Sequence, residues 1–209
     1  MLLYTFKIFA VLLFILFFAS GSSAASAWIQ TGGPAGGNTE ALAQAADKTL
    51  YAGGRAGTLF KSTDGGANWS SLAVIDLATI IHQIHVLKND PRTIYASTGS
   101  FYRSSDGGNA FVRIDAIGGG VNRFAVSPLN EQVVAAASPD GNVYLTENGF
   151  ADVMARRGNW PEGATVETAS FGPDGALWAG AGVRGEGRLY RSTDNGASWE
   201  EIPLSQRAA

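Results

Sequence analysis

The sequence predicts an all-β chain, a β-propeller of about four four-stranded antiparallel blades in a partial or oligomer-completed ring. Three observations predict it. An acid-and-glycine octapeptide, STDGGANW at residues 62–69, recurs as SSDGGNAF at 104–111. Counted at Asp64, Asp106, Asn148 and Asp194, the repeats lie 42, 42 and 46 residues apart. Within each repeat the apolar residues alternate with a period of two, and no stretch beyond the N-terminal leader keeps a helical i, i+3, i+4, i+7 stripe for three turns. Short antiparallel strands recurring every 40 to 50 residues or so are the mark of propeller blades.

The first element is a leader. Lys7 precedes an unbroken apolar run from Ile8 to Ala19, and small residues follow to an Ala-x-Ala pattern at Ala25, Ser26 and Ala27. Residues 1–27 therefore read as a secretory signal peptide cleaved before Trp28, which makes the mature protein periplasmic or extracellular. The run is shorter than the roughly 20 residues that span a bilayer. Membrane attachment is expected only if the leader stays uncleaved, counted from Leu2 with Lys7 snorkelling.

The remaining 182 residues, 28–209, can bury a sizeable core or several small repeated units. They carry 14 basic and 18 acidic side chains, a net charge of −4 that gives no support to nucleic-acid binding. Cysteine is absent, so disulfides, thiolate metal sites and lipid attachment through an N-terminal cysteine are all excluded. Stability has to come from packing.

Each unit then reads strand by strand. First strands are expected at Leu42–Ala45, Ile80–Leu87, Val121–Val126 and Val166–Phe171. An apolar pair followed by alanine marks a buried second strand: Leu50-Tyr51-Ala52, Ile94-Tyr95-Ala96, Val133-Val134-Ala135 and Leu177-Trp178-Ala179. A Gly-rich or Pro-Asp-Gly turn follows. The third strand carries an aromatic at the same place each time, Phe60, Tyr102, Tyr144 and Tyr190, and the fourth opens at Trp69, Phe111, Val153 or Trp199. The blades so defined cover about 40–72, 80–114, 121–156 and 164–204.

The octapeptide suits a tight turn between third and fourth strands. Its glycines supply positive φ, its short carboxylate can accept the turn's unpaired N–H groups, and its tryptophan can bury a large apolar area. An acid recurring at equivalent positions argues against a calcium ligand or a catalytic carboxylate. The form Ser-x-Asp-x-Gly-x-x-Trp resembles the Asp-box, or BNR, repeat of sialidase-like, sortilin-like and photosystem II assembly-factor-like β-propellers. Ser62, Asp64, Gly66 and Trp69 match it, as do Ser192, Asp194, Gly196 and Trp199. Ser104, Asp106, Gly108 and Phe111 match with one aromatic exchange. Thr146, Asn148, Phe150 and Val153 replace all four positions in the third copy, where a looser turn is expected.

A ligand surface is expected on the opposite face, made by the second-to-third strand hairpins and the connections between blades. The residues singled out there are Arg55, Arg156, Arg157, Trp160, Arg184 and Glu186, with Asp76, Asp115, Asp140 and Glu162 nearby in the same class of loops. A solvated loop with Trp160 tucked against a blade is the alternative reading. His82 and His85, three apart on a strand, should point to opposite faces rather than share a metal. Lys61, Arg103 and Arg191, each just before an octapeptide, should cover aromatic surface. The sequon Asn68-Trp69-Ser70 lies inside a turn and should be unused. No cofactor or metal site is expected.

Two functions remain. The assembly-factor-like branch of the resemblance implies a non-catalytic exported module that binds a protein or a glycan. The sialidase-like branch implies a glycoside hydrolase, which needs an arginine cluster, a tyrosine activated by a glutamate and a separate acid; no Arg-Ile-Pro motif and no assignable pair appears in the sequence. The binding module is the preferred reading. Trp28-Ile29-Gln30 resembles an outermost strand, Trp199-Glu200-Glu201-Ile202, so one strand is surplus to four blades. A homodimer completing a ring, or a truncated fragment, is expected.

Overall fold

The computed structural model describes residues 33–34, 38–118, 120–121, 123–183 and 185–203. The leader, the surplus strand at Trp28–Gln30 and the candidate Arg184 lie outside them.

The described residues form four sheets, each of four antiparallel strands in sequence order. The first holds β1 (Thr39–Gln44), β2 (Leu50–Gly54), β3 (Thr58–Ser62) and β4 (Ser70–Val74). The second holds β5 (Gln83–Val86), β6 (Ile94–Ser97), β7 (Phe101–Ser104) and β8 (Val112–Arg113). The third holds β9 (Arg123–Val126), β10 (Val134–Ala137), β11 (Val143–Thr146) and β12 (Met154–Arg156). The fourth holds β13 (Thr165–Phe171), β14 (Leu177–Val183), β15 (Glu186–Ser192) and β16 (Glu200–Ile202). This is the all-β, propeller-type repeat that the 42-residue period predicts. The outermost strands begin one residue later than expected, because the aromatic or valine that opens the segment belongs to the turn.

Register is nearly identical in the four sheets. Phe60 faces Ala52, Tyr102 faces Ala96, Tyr144 faces Ala136 and Tyr190 faces Ala179. The recurring third-strand aromatic therefore sits over an alanine, whose small side chain leaves room for the ring. This corrects the expected third triplet: Val134-Ala135-Ala136, not Val133-Val134-Ala135, stands where Leu50-Tyr51-Ala52 does. Val133 instead ends the preceding turn, where its carbonyl accepts from Ser127 N–H at 2.9 Å, as the Thr93 carbonyl accepts from Leu87.

Three cores lie between successive sheets. Tyr51 and Leu59 pack against Ile81, Ile84, Ile94 and Ala96. Tyr95 and Phe101 pack against Phe124, Val134 and Ala136. Val143 and Leu145 pack against Val166, Leu177, Ala179 and Tyr190. Each fully buried side chain of this size contributes roughly 1.5–3 kcal/mol. Because a strand alternates faces, each inner sheet buries one row of side chains against the sheet before it and the other row against the sheet after it.

The turns between third and fourth strands repeat a single hydrogen-bond design. Ser62 Oγ donates to Asp64 Oδ1 at 2.8 Å and accepts from Gly66 N–H at 2.9 Å, while Asp64 Oδ1 also accepts from Asn68 N–H at 2.9 Å. The same set recurs at Ser104, Asp106, Gly108 and Ala110, and at Ser192, Asp194, Gly196 and Ser198. The expected loosening of the third turn is not found. Thr146 Oγ1 accepts from Phe150 N–H at 2.9 Å and Asn148 Oδ1 accepts from Asp152 N–H at 2.9 Å, so hydroxyl and amide replace hydroxyl and acid without loss of a bond. Phe150 adopts φ +74 where Gly66, Gly108 and Gly196 supply positive φ.

Candidate functional site

Since the acid turns and the first-to-second strand turns share one face of the sheets, the hairpins β2–β3, β6–β7, β10–β11 and β14–β15 lie on the other, together with the inter-sheet connections. On this second face a hollow of about 540 Å3 opens between the third and fourth sheets. Asp140 of the β10–β11 hairpin lines it, with Arg157, Trp160, Glu162, Gly163 and Ala164 of the connection into β13.

Trp160 forms the base of the hollow rather than an exposed platform. It is 4% exposed, packs edge-on against Tyr190 and Trp199 with centroids 5.3 and 5.4 Å away, and donates from Nε1 to the Gly141 carbonyl at 3.0 Å. This is the alternative reading of a tryptophan tucked against a blade: the two neighbouring sheets offer an aromatic slot and a carbonyl for the indole N–H, which open loop surface does not. Gly141, at φ +86, has its missing side chain's place taken by Arg157 Nη1 and the Ala164 carbonyl, so hairpin and connection fit closely only with glycine there.

Asp140 is held by Tyr144 OH at 2.6 Å and Asn142 N–H at 2.9 Å. Partial burial pushes its carboxyl up, but these bonds outweigh that and leave it below the usual carboxylate range. Tyr144 is pushed up by the same hydrogen bond. Arg157 and Glu162, both exposed, complete a rim with both signs of charge.

The other candidates lie apart from this rim. Arg55 is exposed on the β2–β3 hairpin, with its N–H donating to the Asn38 carbonyl. Arg156 is half-buried in β12, where its Cβ and Cγ pack under Gly196 and its Nη2 lies 3.1 Å from Met154 Sδ; it supports the fourth acid turn. Glu186 faces a smaller hollow of about 280 Å3 with Pro161 and Arg188. Arg188, not singled out in the sequence, donates to both oxygens of Glu201 at 3.1 and 3.2 Å. Its only sequence signal is a basic residue two before the recurrent third-strand aromatic.

The charged pairs elsewhere are structural. Asp76 is reached by Tyr102 OH at 3.4 Å and Asp115 by Arg113 at 3.1 Å. Lys61 stands 5.8 Å from the centre of the Tyr51 ring and Arg191 5.6 Å from Trp178, each opposite its aromatic across the strand pair. Arg103, opposite Tyr95, instead reaches the Gly149 carbonyl of the third sheet at 3.4 Å. His82 meets Glu40 at 3.5 Å, whereas burial holds His85 below the usual histidine range. Asn68 Nδ2 is bonded to Asp64 Oδ2 at 2.8 Å within its turn. Every carboxyl with a displaced pKa, at Asp47, Asp64, Asp90, Asp106, Asp140, Asp174 and Asp194, is displaced downward.

The fold and this face define an all-β repeat protein of propeller type. No protein-family model matches the chain. Over 163 residues it is 26% identical to the photosystem II assembly lipoprotein Ycf48 of a Synechococcus species (strain CC9902), covering 72% of this chain and 45% of that protein. Over 183 residues it is 27% identical to a xyloglucanase of a Paenibacillus species, covering 81% of this chain and 17% of that enzyme. Among solved structures, an ancestral GH74 enzyme superposes with a TM-score of 0.68 at 19% identity, covering 88% of this chain and 26% of that one. Ycf48 bound to a D1 peptide superposes with a TM-score of 0.58 at 21% identity, covering 79% and 52%. The chain thus spans under half the length of the curated relatives it matches, and those relatives include both an enzyme and an assembly protein. The Synechococcus relative is named a lipoprotein, whereas this chain has no cysteine to carry a lipid.

Proposed function

We propose that the chain is an exported, non-catalytic binding module that takes a polar segment of a partner protein into the hollow between its third and fourth sheets. The observation that carries this reading is the rim of Asp140, Arg157 and Glu162 around a rigid base of Trp160. Mixed charges on a packed floor suit an extended peptide, whose backbone and side chains offer donors and acceptors at intervals. The acid turns are read as Asp-box turns that hold blades of about 40–72, 80–114, 121–156 and 164–204. A second copy of the chain is proposed as a further partner.

Peptides selected from a displayed random library on the immobilised mature protein test the reading. They should bind in solution, and Arg157→Ala and Glu162→Ala should each weaken them by roughly tenfold, about 1.4 kcal/mol, without changing the melting temperature. Selected peptides that bind both variants as well as the parent would overturn the site.

The xyloglucanase likeness favours a second reading, a glycoside hydrolase. Such an enzyme needs one carboxyl held protonated and another ionised across roughly 5 to 9.5 Å. Release of reducing ends from xyloglucan, abolished by Glu162→Gln or Asp140→Asn, would establish hydrolysis in place of simple binding.

A further inference from the structure

Among the described residues the sheet-to-sheet interface occurs three times, and each occurrence joins the same two rows. The row that faces forward is Tyr51 and Leu59 in the first sheet, Tyr95 and Phe101 in the second, and Ala135 and Val143 in the third, all buried. The row that faces back is Ile84, Ala96 and Tyr102 in the second sheet, Phe124, Ala136 and Tyr144 in the third, and Ala169, Ala179 and Tyr190 in the fourth.

The first sheet also has a backward row, Leu42, Ala52 and Phe60, and the fourth has a forward row, Trp178, Leu189 and Arg191. These two rows are not covered alike. Leu42 is 67% exposed, whereas its equivalents Ile84, Phe124 and Ala169 are 6%, 3% and 6% exposed. Val74, beside Thr58 on the same face, is 51% exposed. Trp178 and Leu189 are half-buried where their equivalents are buried.

The shape of the forward face says what fits it. A hollow of about 570 Å3 lies on the fourth sheet, floored by Gly180, Gly182 and Gly187 and walled by Thr168 and Leu189. Gly180 stands opposite Leu189 as Gly53 stands opposite Leu59. In the first sheet the space above Gly53 is filled by the next sheet: a side chain there would meet Ile81 Cγ2 at 2.6 Å and Ile84 Cδ1 at 3.1 Å. Leu42 is the equivalent of Ile84, so the exposed leucine of the first sheet matches the open glycine floor of the fourth. Arg191 likewise stands where Arg103 reaches the acid turn of the following sheet.

We infer that these two faces are the halves of one interface, and that a second copy of this chain docks head-to-tail, the first sheet of each protomer on the fourth sheet of the other. The inference extends the second-copy partner proposed above and is independent of the peptide hollow. Both halves are carried by one chain, so two copies satisfy both ends at once and close about a two-fold axis. Exposed apolar faces of this kind are otherwise costly for a soluble monomer.

Light scattering on the purified mature chain, with dilution, tests the inference. The parent should have twice the chain mass. Leu42→Asp and Leu189→Asp should each weaken self-association by roughly 100-fold, as expected for loss of a buried anchor, and run at the single-chain mass with an unchanged circular dichroism spectrum. An equimolar mixture of the two variants should regain a dimer, because one protomer's intact first sheet can meet the other's intact fourth sheet. Arg157→Ala should stay dimeric, which separates this outcome from that at the peptide hollow. A parent at single-chain mass, a dimer that survives either aspartate, two variants that do not complement, or an open series of larger species would overturn the inference.

Discussion

Trp160 Nε1 donates to the carbonyl of Gly141 at 3.0 Å, tying the connection into the fourth sheet to the hairpin of the third. This bond and the packing on Tyr190 and Trp199 make the floor of the candidate hollow part of an inter-sheet core. Replacement by alanine should therefore cost about 3–5 kcal/mol of folding stability. Trp160→Phe should lose less, since it keeps ring packing and gives up the hydrogen bond, worth about 1 kcal/mol. Denaturant unfolding measures both, and a Trp160→Ala protein as stable as the parent would return the residue to the surface.

The buried serine hydroxyls govern the acid turns. Ser104 Oγ, in a residue 1% exposed, accepts from Gly108 N–H and donates to Asp106. Ser104→Ala removes the acceptor of a buried N–H and should destabilise the protein by about 1–3 kcal/mol. Thr146 fills the same place in the third turn, so Ser104→Thr should retain most of the stability. Thermal melts of the two variants give the comparison, and equal losses would show that packing, not the hydroxyl, is at stake.

The repeat was legible in the sequence because its signals are local. A serine, an acid two residues later and a positive-φ glycine two beyond that recur without reference to the rest of the fold, and period-two alternation places the strands between them. Signals that depend on distant partners were not legible. Trp160 is surrounded by polar and charged residues in the chain, so its neighbours in sequence cannot say which blade receives it; its slot comes from Gly141, Tyr190 and Trp199, 19 to 39 residues away. His82 finds Glu40 across 42 positions, a full repeat, which no local search reaches. The one-residue offset at Val134 was hidden because Val133 is also apolar, and only strand register separates them.

Acid should weaken the fold through the turn carboxylates. Hydrogen bonds from Asn68 and Ser62 hold Asp64 down to about 2, and those from Ser198 and Ser192 hold Asp194 down to about 2, against an ordinary value of 3.8. Between these values the unfolded chain binds protons that the folded chain does not, so this stability is present above pH 3.8 and is lost as pH falls through about 2. Asp64→Asn keeps an acceptor, as Asn148 does, but cannot titrate. Melting temperature measured downward from neutral pH should fall less steeply in Asp64→Asn than in the parent, and parallel curves would rule out the carboxylate as a source of the acid loss.

Phe150 sets a local cost against a packing gain. Its φ of +74 is the conformation that glycine adopts in the other three turns, and a non-glycine residue there loses roughly 1–2 kcal/mol. In return its ring packs 5.3 Å from Tyr95 and 5.0 Å from Phe101, across the interface between second and third sheets. Removing a large aromatic from a packed cluster costs about 3–5 kcal/mol, and glycine adds about 0.5–1 kcal/mol of chain entropy. Packing outweighs strain on these magnitudes, so Phe150→Gly should be less stable by about 3 kcal/mol even though it restores the residue found in the other turns. Phe150→Ala should be worse still, because it gives up the ring and keeps the positive φ. Chemical denaturation can rank the three proteins, and a glycine variant more stable than the parent would mean that the strained turn, not the aromatic cluster, dominates here.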